Sequence, residues 1–297
     1  MTSTAAVASI PKRREFLTPW HGALNVAHVL ATHALLIGWF WLGYEFLPLA
    51  AYIPLSLPVC LVHQRAMSEW IHEGAHLNVV ANRRWNDRLT DALCGFWFVL
   101  PVRVYREIHF QHHRKPDFFV SDDPDTVFLT IDSRRTFWLG VLRDLSGLTV
   151  LRQLGRFNEL APPGERRRRA LTVLGPVLVV GVAFALGRLD AALLYYFTLA
   201  TLYPLLNRLR TYAQHATIGD RTASRFEGSE TSRTVDAGLM DRIVHTSPRL
   251  LYHYEHHLYP HLPYRALRQM LEPSDDPNRF SRSRWRTLRA IYRGLPH

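Results

Sequence analysis

Cysteine and lysine are both scarce in this chain of 297 residues. The two cysteines, Cys60 and Cys94, form no C-x-x-C motif, so the sequence offers neither a disulfide framework nor a thiolate zinc site. Lysine occurs only at positions 12 and 115, so arginine supplies nearly all the positive charge behind the formal net charge of +11. No zinc-finger or RNA-binding signature accompanies that charge, and no nucleic-acid partner is predicted. The N-terminal residues also lack the pattern of a cleaved signal peptide.

Charged residues are missing from four long stretches of the chain. Residues 22–44, 46–64, 170–187 and 191–207 contain no Lys, Arg, Asp or Glu. A helix of about 20 apolar residues crosses a bilayer, and about 17 is the lower limit. Very short connections around Glu45 and Arg188 join the stretches in pairs. We therefore predict an all-α integral membrane protein, with four transmembrane helices in two hairpins and a polar, solvated tail over residues 273–297.

The basic residues predict the orientation of these spans. Of the 36 Lys and Arg residues, only Arg188 lies on the side of the two tight turns. The positive-inside rule makes the other side cytoplasmic, together with both termini. The preference for arginine over lysine suggests a GC-rich bacterial genome, and hence a multi-pass protein of the bacterial inner membrane. The basic face would suit anionic lipid or an acidic soluble partner.

Two further apolar stretches are too short or too charged to span. Residues 92–102 are apolar but short, and residues 137–157 alternate apolar residues with arginines at helical spacing. This pattern predicts helices lying at the membrane surface, with the core helix of a soluble domain as the alternative.

Histidine is plentiful, with 16 copies, and nine of them form spaced clusters. In H-x-x-H-H or H-x-x-x-H spacing, all histidines share one helix face. All the clusters fall in segments predicted to be cytoplasmic, so they form a His-rich cap on one side of the membrane. The candidate metal ligands are His72 and His76 in HEGAH, His109, His112 and His113 in HFQHH, His215 in TYAQHA, and His253, His256 and His257 in HYEHH.

Nine imidazoles are too many for one ion and suit two metals with four or five nitrogen ligands each. Carboxylates next to the boxes could accept the other ring N–H of a ligand, although such acids can also be plain surface charges. The candidates for this supporting role are Glu73, Asp123, Asp125 and Glu255. No catalytic residue is predicted beyond the ligands themselves. His28 and His33 lie inside the first span, where a polar residue suggests a function by default.

These motifs resemble the membrane fatty acid desaturase superfamily over about residues 20–272. The resemblance rests on HEGAH, HFQHH and HYEHH, on the longer string HQRAMSEWIHEGAHLNVVANRRWND, on DDPD after the second box, and on EHHLYPHLPY at the third. It implies that the three boxes bind two iron ions, which activate O2 to attack an unactivated C–H bond. His215 is similar to an extra ligand of that family, but Thr211 replaces an asparagine that some acyl-CoA desaturases have one turn earlier.

The resemblance further implies a lipid or acyl substrate and an external electron donor, either ferredoxin or cytochrome b5 with its reductase. The sequence itself contains no flavin, haem or iron–sulfur motif that could supply electrons. A desaturase is therefore the leading prediction, and a hydroxylase or ketolase of a lipid, carotenoid or natural product is the alternative. A His-rich metal transporter or receptor is a more distant one.

Overall fold

The computed structural model describes residues 10–114, 131–165, 172–218, 232–236, 238–244 and 248–296, and these are mostly helical. The α-helices of four or more residues are α1 Arg13–Phe16, α2 Pro19–Phe46, α3 Leu49–Ala75, α4 Arg83–Thr90, α5 Val102–Arg114, α6 Arg134–Leu145, α7 Leu148–Leu160, α8 Leu174–Ala185, α9 Leu189–Ala200, α10 Leu202–His215, α11 Leu239–Val244, α12 Pro248–Leu251, α13 His253–Leu258, α14 Tyr264–Leu267 and α15 Arg284–Arg293. Strands β1 Thr234–Val235 and β2 Phe280–Ser281 form a small parallel pair.

The first hairpin consists of the two longest helices, α2 and α3. Thr18 caps α2 and Pro19 occupies its first turn, where a missing N–H costs nothing. The chain turns at Leu47 and Pro48, slightly later than the turn predicted around Glu45. Helix α3 does not stop at residue 64 but continues to Ala75, and it thereby carries the first histidine box out of the predicted span.

The second hairpin is formed by α8 and by α9 with α10. Its turn contains Gly187 at a φ of 67°, a left-handed conformation that glycine adopts without strain. At Thr201 the backbone leaves helical geometry, and α10 then runs on to His215. Residues 170 and 171 of the third predicted span lie outside the described residues.

Two helical stretches are long and apolar enough to cross a membrane, namely Pro19–Phe46 and Leu189–His215. They correspond to the first and fourth predicted spans. Helix α8 is apolar but shorter, and α3 has polar residues along its second half. The arrangement of four spans therefore stays a prediction.

The two hairpins have an apolar outside and a polar inside. Leu35 is 74% exposed and Phe184 is 71% exposed, whereas Ser56, Gln64 and Thr198 are fully buried. Gln64 donates hydrogen bonds to the carbonyl of Tyr195 and to the hydroxyl of Thr198, which links α3 to α9. Such a distribution is the reverse of that in a water-soluble bundle.

The segment over residues 92–102 packs largely inside the protein. It contains a π-helical turn, Asp91–Gly95, and one helical turn, Phe96–Phe98. Cys94 and Val102 are buried. The segment therefore contributes to the core, and its placement at a membrane surface stays a prediction.

The segment over residues 137–157 forms α6 and α7 and exposes an apolar face. Leu139, Leu142, Leu148 and Leu151 are each between 48% and 66% exposed. This face is uncovered among the described residues, unlike the buried side of a soluble-domain core helix. It has the character expected of helices at a membrane surface.

The prediction of a solvated C-terminal tail is wrong for residues 280–293. Phe280 and Ser281 pair with β1, and α15 buries Thr287 and Ile291. Ile291 packs with Tyr212 of α10 in an apolar cluster. The polar composition concealed this because α15 buries only a narrow stripe of its surface.

A fully buried ion pair joins α6 to α10. The guanidinium of Arg208 donates from Nε to Asp144 Oδ2 at 2.5 Å and from Nη2 to Oδ1 at 2.9 Å, and both side chains are fully buried. Gly140 leaves room for Arg208, because a Cβ there would lie 2.8 Å from Nη1. The pair thus fixes the surface helix against the helix that ends in His215.

Removing one partner of this pair will destabilise the protein. In Asp144→Ala a buried guanidinium loses its carboxylate, and such a loss costs about 3–5 kcal/mol. We expect a clearly lower unfolding temperature for the purified protein in detergent. The exposed pair Arg156–Glu159 supplies the control. Glu159→Ala should change the free energy of unfolding by less than about 1 kcal/mol, and equal shifts for both variants would contradict the prediction.

Candidate metal centre

Four helices bring the nine clustered histidines together. His72 lies near the end of α3 and His76 caps it, while His109, His112 and His113 share α5. His215 is the last residue of α10, and α13 begins with His253. Seven of the nine rings are buried, and those of His113 and His257 are half-buried.

The first histidine group, which we call group one, takes members from three boxes. It consists of His72, His76, His109, His113 and His256, and one ring nitrogen from each lies within 4.8 Å of all the others. The Nε2 atom of His113 is 3.1 Å from Nε2 of His109 and 3.1 Å from Nε2 of His256. The five rings could hold one metal ion.

The second group, group two, lies beside the first. It consists of His112, His215 and His257, whose nitrogens again lie within 4.8 Å of one another. His253 adjoins it, with Nε2 at 2.7 Å from Nε2 of His215. The rings of His113 and His257 are 4.5 Å apart between centroids, so the two groups face each other.

The chemistry of these rings fits metal ions. Imidazole nitrogens bind such metals at about 2.1 Å, so two at right angles around one ion lie about 3 Å apart. Several buried ring nitrogens, including both of His72 and Nε2 of His76 and His257, have no hydrogen-bond partner. An unpaired buried polar atom is costly, and a metal between the rings would satisfy these atoms.

Burial keeps these imidazoles in the form that binds metal. Desolvation, followed by neighbouring positive charges, lowers the pKa of six of them well below the usual range for histidine. A lowered pKa leaves the ring neutral, with a lone pair available for coordination. The six are His72, His76, His109, His253, His256 and His257.

Two of the four predicted supporting carboxylates are described. Glu73 Oε1 lies 3.7 Å from His72 Nδ1, too far for a hydrogen bond, and burial raises the pKa of Glu73 to about 8. Glu255 instead accepts a hydrogen bond from the Thr234 hydroxyl at 2.5 Å. Asp123 and Asp125 lie outside the described residues. A supporting role for these acids stays a prediction.

Buried Arg106 joins the first two boxes. From α5 it donates to the carbonyls of Ala75 at 2.7 Å and Gly74 at 2.8 Å, at the C-terminal end of α3. It also pairs with Asp87 at 2.6 Å. Cations at a helix C-terminus satisfy carbonyls that have no partner within the helix. A Cβ at Gly74 would overlap Thr90, so the glycine in HEGAH permits α4 to approach α3 closely.

Arg233 and Thr234 similarly join α10 to the third box. Arg233 donates from Nη1 to Ala213 O at 2.7 Å and from Nη2 to Ala216 O at 3.0 Å, around the residue His215. Thr234 holds Glu255 through its hydroxyl. Nothing in the sequence marks these two residues, because the segment is separated from both histidine helices along the chain.

A cavity of about 140 Å³ opens against both histidine groups, and we call it the central cavity. His72 and His109 of group one line it, as do His112 and His215 of group two. Its other walls combine apolar and polar residues, namely Ser68, Ile71, Phe98, Leu100, Tyr105, Gln153, Phe157, Tyr203, Asn207, Arg210, Thr211, Gln214, Leu250 and His253.

A second cavity of about 80 Å³ continues the first, and we call it the apolar extension. It adds Val150, Leu154, Leu199 and Pro204, and it shares six residues with the central cavity, namely Phe98, Leu100, Gln153, Phe157, Tyr203 and Asn207. The sequence predicts a hydrophobic tunnel that opens toward the metal face, but it does not identify the lining residues, since these come from helices far apart in the chain.

His33 belongs to a separate hydrogen-bonded chain. Its Nε2 donates to the carbonyl of Leu93 at 2.9 Å, which leaves Nδ1 to accept from Nε2 of His63 at 2.9 Å. His63 Nδ1 then accepts from the hydroxyl of Tyr195 at 3.0 Å. This chain ties α2, α3 and α9 together, and its histidines are not among the nine clustered ones.

The chain also matches the model of a known protein family. A family model described as Fatty acid desaturase matches residues 46–278. That range covers most of the chain and includes all nine clustered histidines.

Loss of the Thr234 hydroxyl will loosen the third box. Thr234→Val keeps the side-chain volume but leaves Glu255 without this donor, at a cost of about 1–3 kcal/mol. We expect less metal per chain after reconstitution with ferrous iron, measured by elemental analysis, and a lower unfolding temperature.

Two variants act as controls for this prediction. Thr234→Ser keeps a hydroxyl and should retain the metal. Thr32→Val removes a hydroxyl that bonds only within its own helix, to the carbonyl of His28, and should also retain it. Full metal content in Thr234→Val would show that the third box does not depend on this contact.

Proposed function

Because the chain belongs to the fatty acid desaturase family, we propose that it is an O2-dependent, non-haem diiron oxidoreductase that introduces a double bond into a fatty-acyl or related lipid chain. Membership in this family implies an oxidoreductase. The observation that carries the proposal is the convergence of the histidines into two adjoining groups, each able to hold a metal ion. A His-rich transporter or receptor is not supported by this family membership.

The proposed ligand sets follow the two groups. His72, His76, His109, His113 and His256 would hold one iron, and His112, His215, His253 and His257 would hold the other. Two bound irons supply the activation of O2 that removal of hydrogen from an unactivated C–H bond requires.

The protein residues around the groups bind the substrate and exclude water. Ile71, Phe98 and Phe157 give the central cavity an apolar wall next to the histidines. An alkyl chain against this wall would displace water and be held with one C–H bond near the two groups. Such fixed positioning accounts for much of the selectivity of attack along a chain of similar methylenes.

A hydroxylase or ketolase is the second candidate, and the polar wall of the central cavity favours it. Gln153, Asn207 and Thr211 line the same cavity as the histidines. Their amide and hydroxyl groups could hydrogen-bond an oxygen added to the substrate. Desaturation and hydroxylation both begin with loss of one hydrogen, so the same residues could serve either outcome.

We place the enzyme in a membrane, as a multi-pass protein whose histidine cap faces the cytoplasm. The apolar exterior of α2, α8 and α9 supports this placement, and so does the asymmetric distribution of arginine. Ferredoxin, or cytochrome b5 with its reductase, would deliver the electrons. Exposed arginines on the histidine side would attract such an acidic donor.

The reaction type can be read from the product. We expect a host that expresses the protein to accumulate a lipid or acyl metabolite lighter by two hydrogens, as measured by untargeted mass spectrometry. A metabolite that gains oxygen would instead establish the hydroxylase or ketolase. Unchanged metabolites, from a host supplied with a matching electron donor and with iron-loaded protein, would contradict both.

His256→Ala should abolish turnover and lower the iron content, because His256 is a buried member of group one. His261→Ala is the matched control, since His261 is an exposed histidine only five residues away. Iron per chain and product yield should both distinguish the variants. Equal values would refute the proposed ligand set.

A further inference from the structure

Apart from the histidines, one ionisable cation lines the central cavity among the described residues. Arg210 lies on α10, half-buried, between Asn207 and Thr211 of the cavity wall. No aspartate or glutamate is among the described lining residues. The charge of this cavity wall is therefore positive before any metal is bound.

Arg210 has no carboxylate partner among the described residues, unlike three other arginines of the histidine side. Arg106 pairs with Asp87, Arg208 with Asp144, and Arg249 with Glu69. The hydrogen bond of Arg210 is to a neutral group, from Nη2 to Oδ1 of Asn207 at 2.6 Å. A guanidinium has five N–H donors in a planar fork, so this bond uses only part of the fork of a residue that lines the cavity.

Arg210 also lies within electrostatic reach of both histidine groups. Burial and neighbouring histidines are the main causes of the lowered pKa of His72 and of His253, and the positive charge of Arg210 lowers both further. Two metal cations held by the groups would add to its positive field in the same half-buried space. An anion in the cavity would balance this charge, and a carboxylate matches the geometry of the guanidinium fork.

We propose that Arg210 binds the carboxylate of the substrate, so that the enzyme acts on a free carboxylic acid and attacks it close to that carboxylate. This inference rests on the proposed oxidation of an alkyl chain at the two histidine groups. It adds the chemical class of the substrate and the region of attack.

The order of residues along the cavity supports the region of attack. Leu199, Tyr203 and Asn207 line the apolar extension, and Tyr203 and Asn207 also line the central cavity beside Arg210. His215 comes five residues later, a rise of about 7.5 Å. An alkyl tail in the extension and a carboxylate at Arg210 would leave the carbons beside the carboxylate nearest to the histidines.

The reaction is balanced as a desaturation. The acid loses one hydrogen from each of two adjacent carbons and keeps its carboxylate. O2 takes these two hydrogens together with two electrons from the external donor and two protons, and two waters result. Arg210 takes no part in this exchange, because it only holds the carboxylate.

Equilibrium binding tests the inference without turnover. The full chain, loaded with ferrous iron and kept free of O2, would be titrated with sodium decanoate and, separately, with methyl decanoate. A charged hydrogen bond contributes enough to make the acid bind at least about tenfold more tightly than the ester. Equal affinities for acid and ester in the wild-type protein would overturn the inference.

Variants of Arg210 assign the preference to this residue. Arg210→Gln should remove the preference for the acid, while Arg210→Lys should retain part of it because the charge remains. Arg286→Gln removes an exposed arginine and should leave the preference intact. An acid preference that survives in iron-loaded Arg210→Gln would overturn the role of Arg210.

The position of the product double bond tests the region of attack. Wild-type protein given decanoate, O2 and an electron donor should form the double bond in the part of the chain next to the carboxylate, as mapped by mass spectrometry. A double bond near the methyl end would overturn this part. Failure of the iron-loaded protein to oxidise any lipid would contradict the proposed function instead, because the binding preference is measured without turnover.

Discussion

Nine imidazole rings lie together in one buried space, and the need to hold them there constrains the rest of the protein. Each ring must be neutral and must direct a nitrogen inward, where the other rings are poor partners. The rings are therefore placed at or near the ends of helices whose ends are bonded to neighbouring elements.

Buried guanidinium groups make those bonds. Arg106 on the helix of the second box holds the carbonyl end of the helix of the first. Arg233 holds the end of the helix that carries His215, and Thr234 beside it holds Glu255 of the third box. Because arginine keeps its charge when buried and offers five donors, one side chain can join several carbonyls. The histidine groups thus depend on residues that never face them.

The apolar helices of the two hairpins combine a polar interior with an apolar exterior. Their polar side chains pair inside the bundle, as in the chain from Leu93 through His33 and His63 to Tyr195. Their apolar side chains face outward. The apolar extension is lined by residues of α7, α9 and α10 and adjoins the central cavity, which reaches the histidines. An alkyl chain could therefore approach the histidines along the apolar walls of both cavities.

The local sequence determined the histidine boxes, because i, i+3 and i+4 spacing on a helix sets a shared face whatever surrounds it. It also determined the apolar runs, which follow composition alone. Only the tertiary structure decided how the histidines divide into two groups, since His256 joins the first box and His257 joins His215. It likewise decided that α15 is packed, that Arg233 supports the site and that Arg210 lines the cavity. These features are contacts between residues distant in the chain, and no periodicity along the sequence records which distant helices meet.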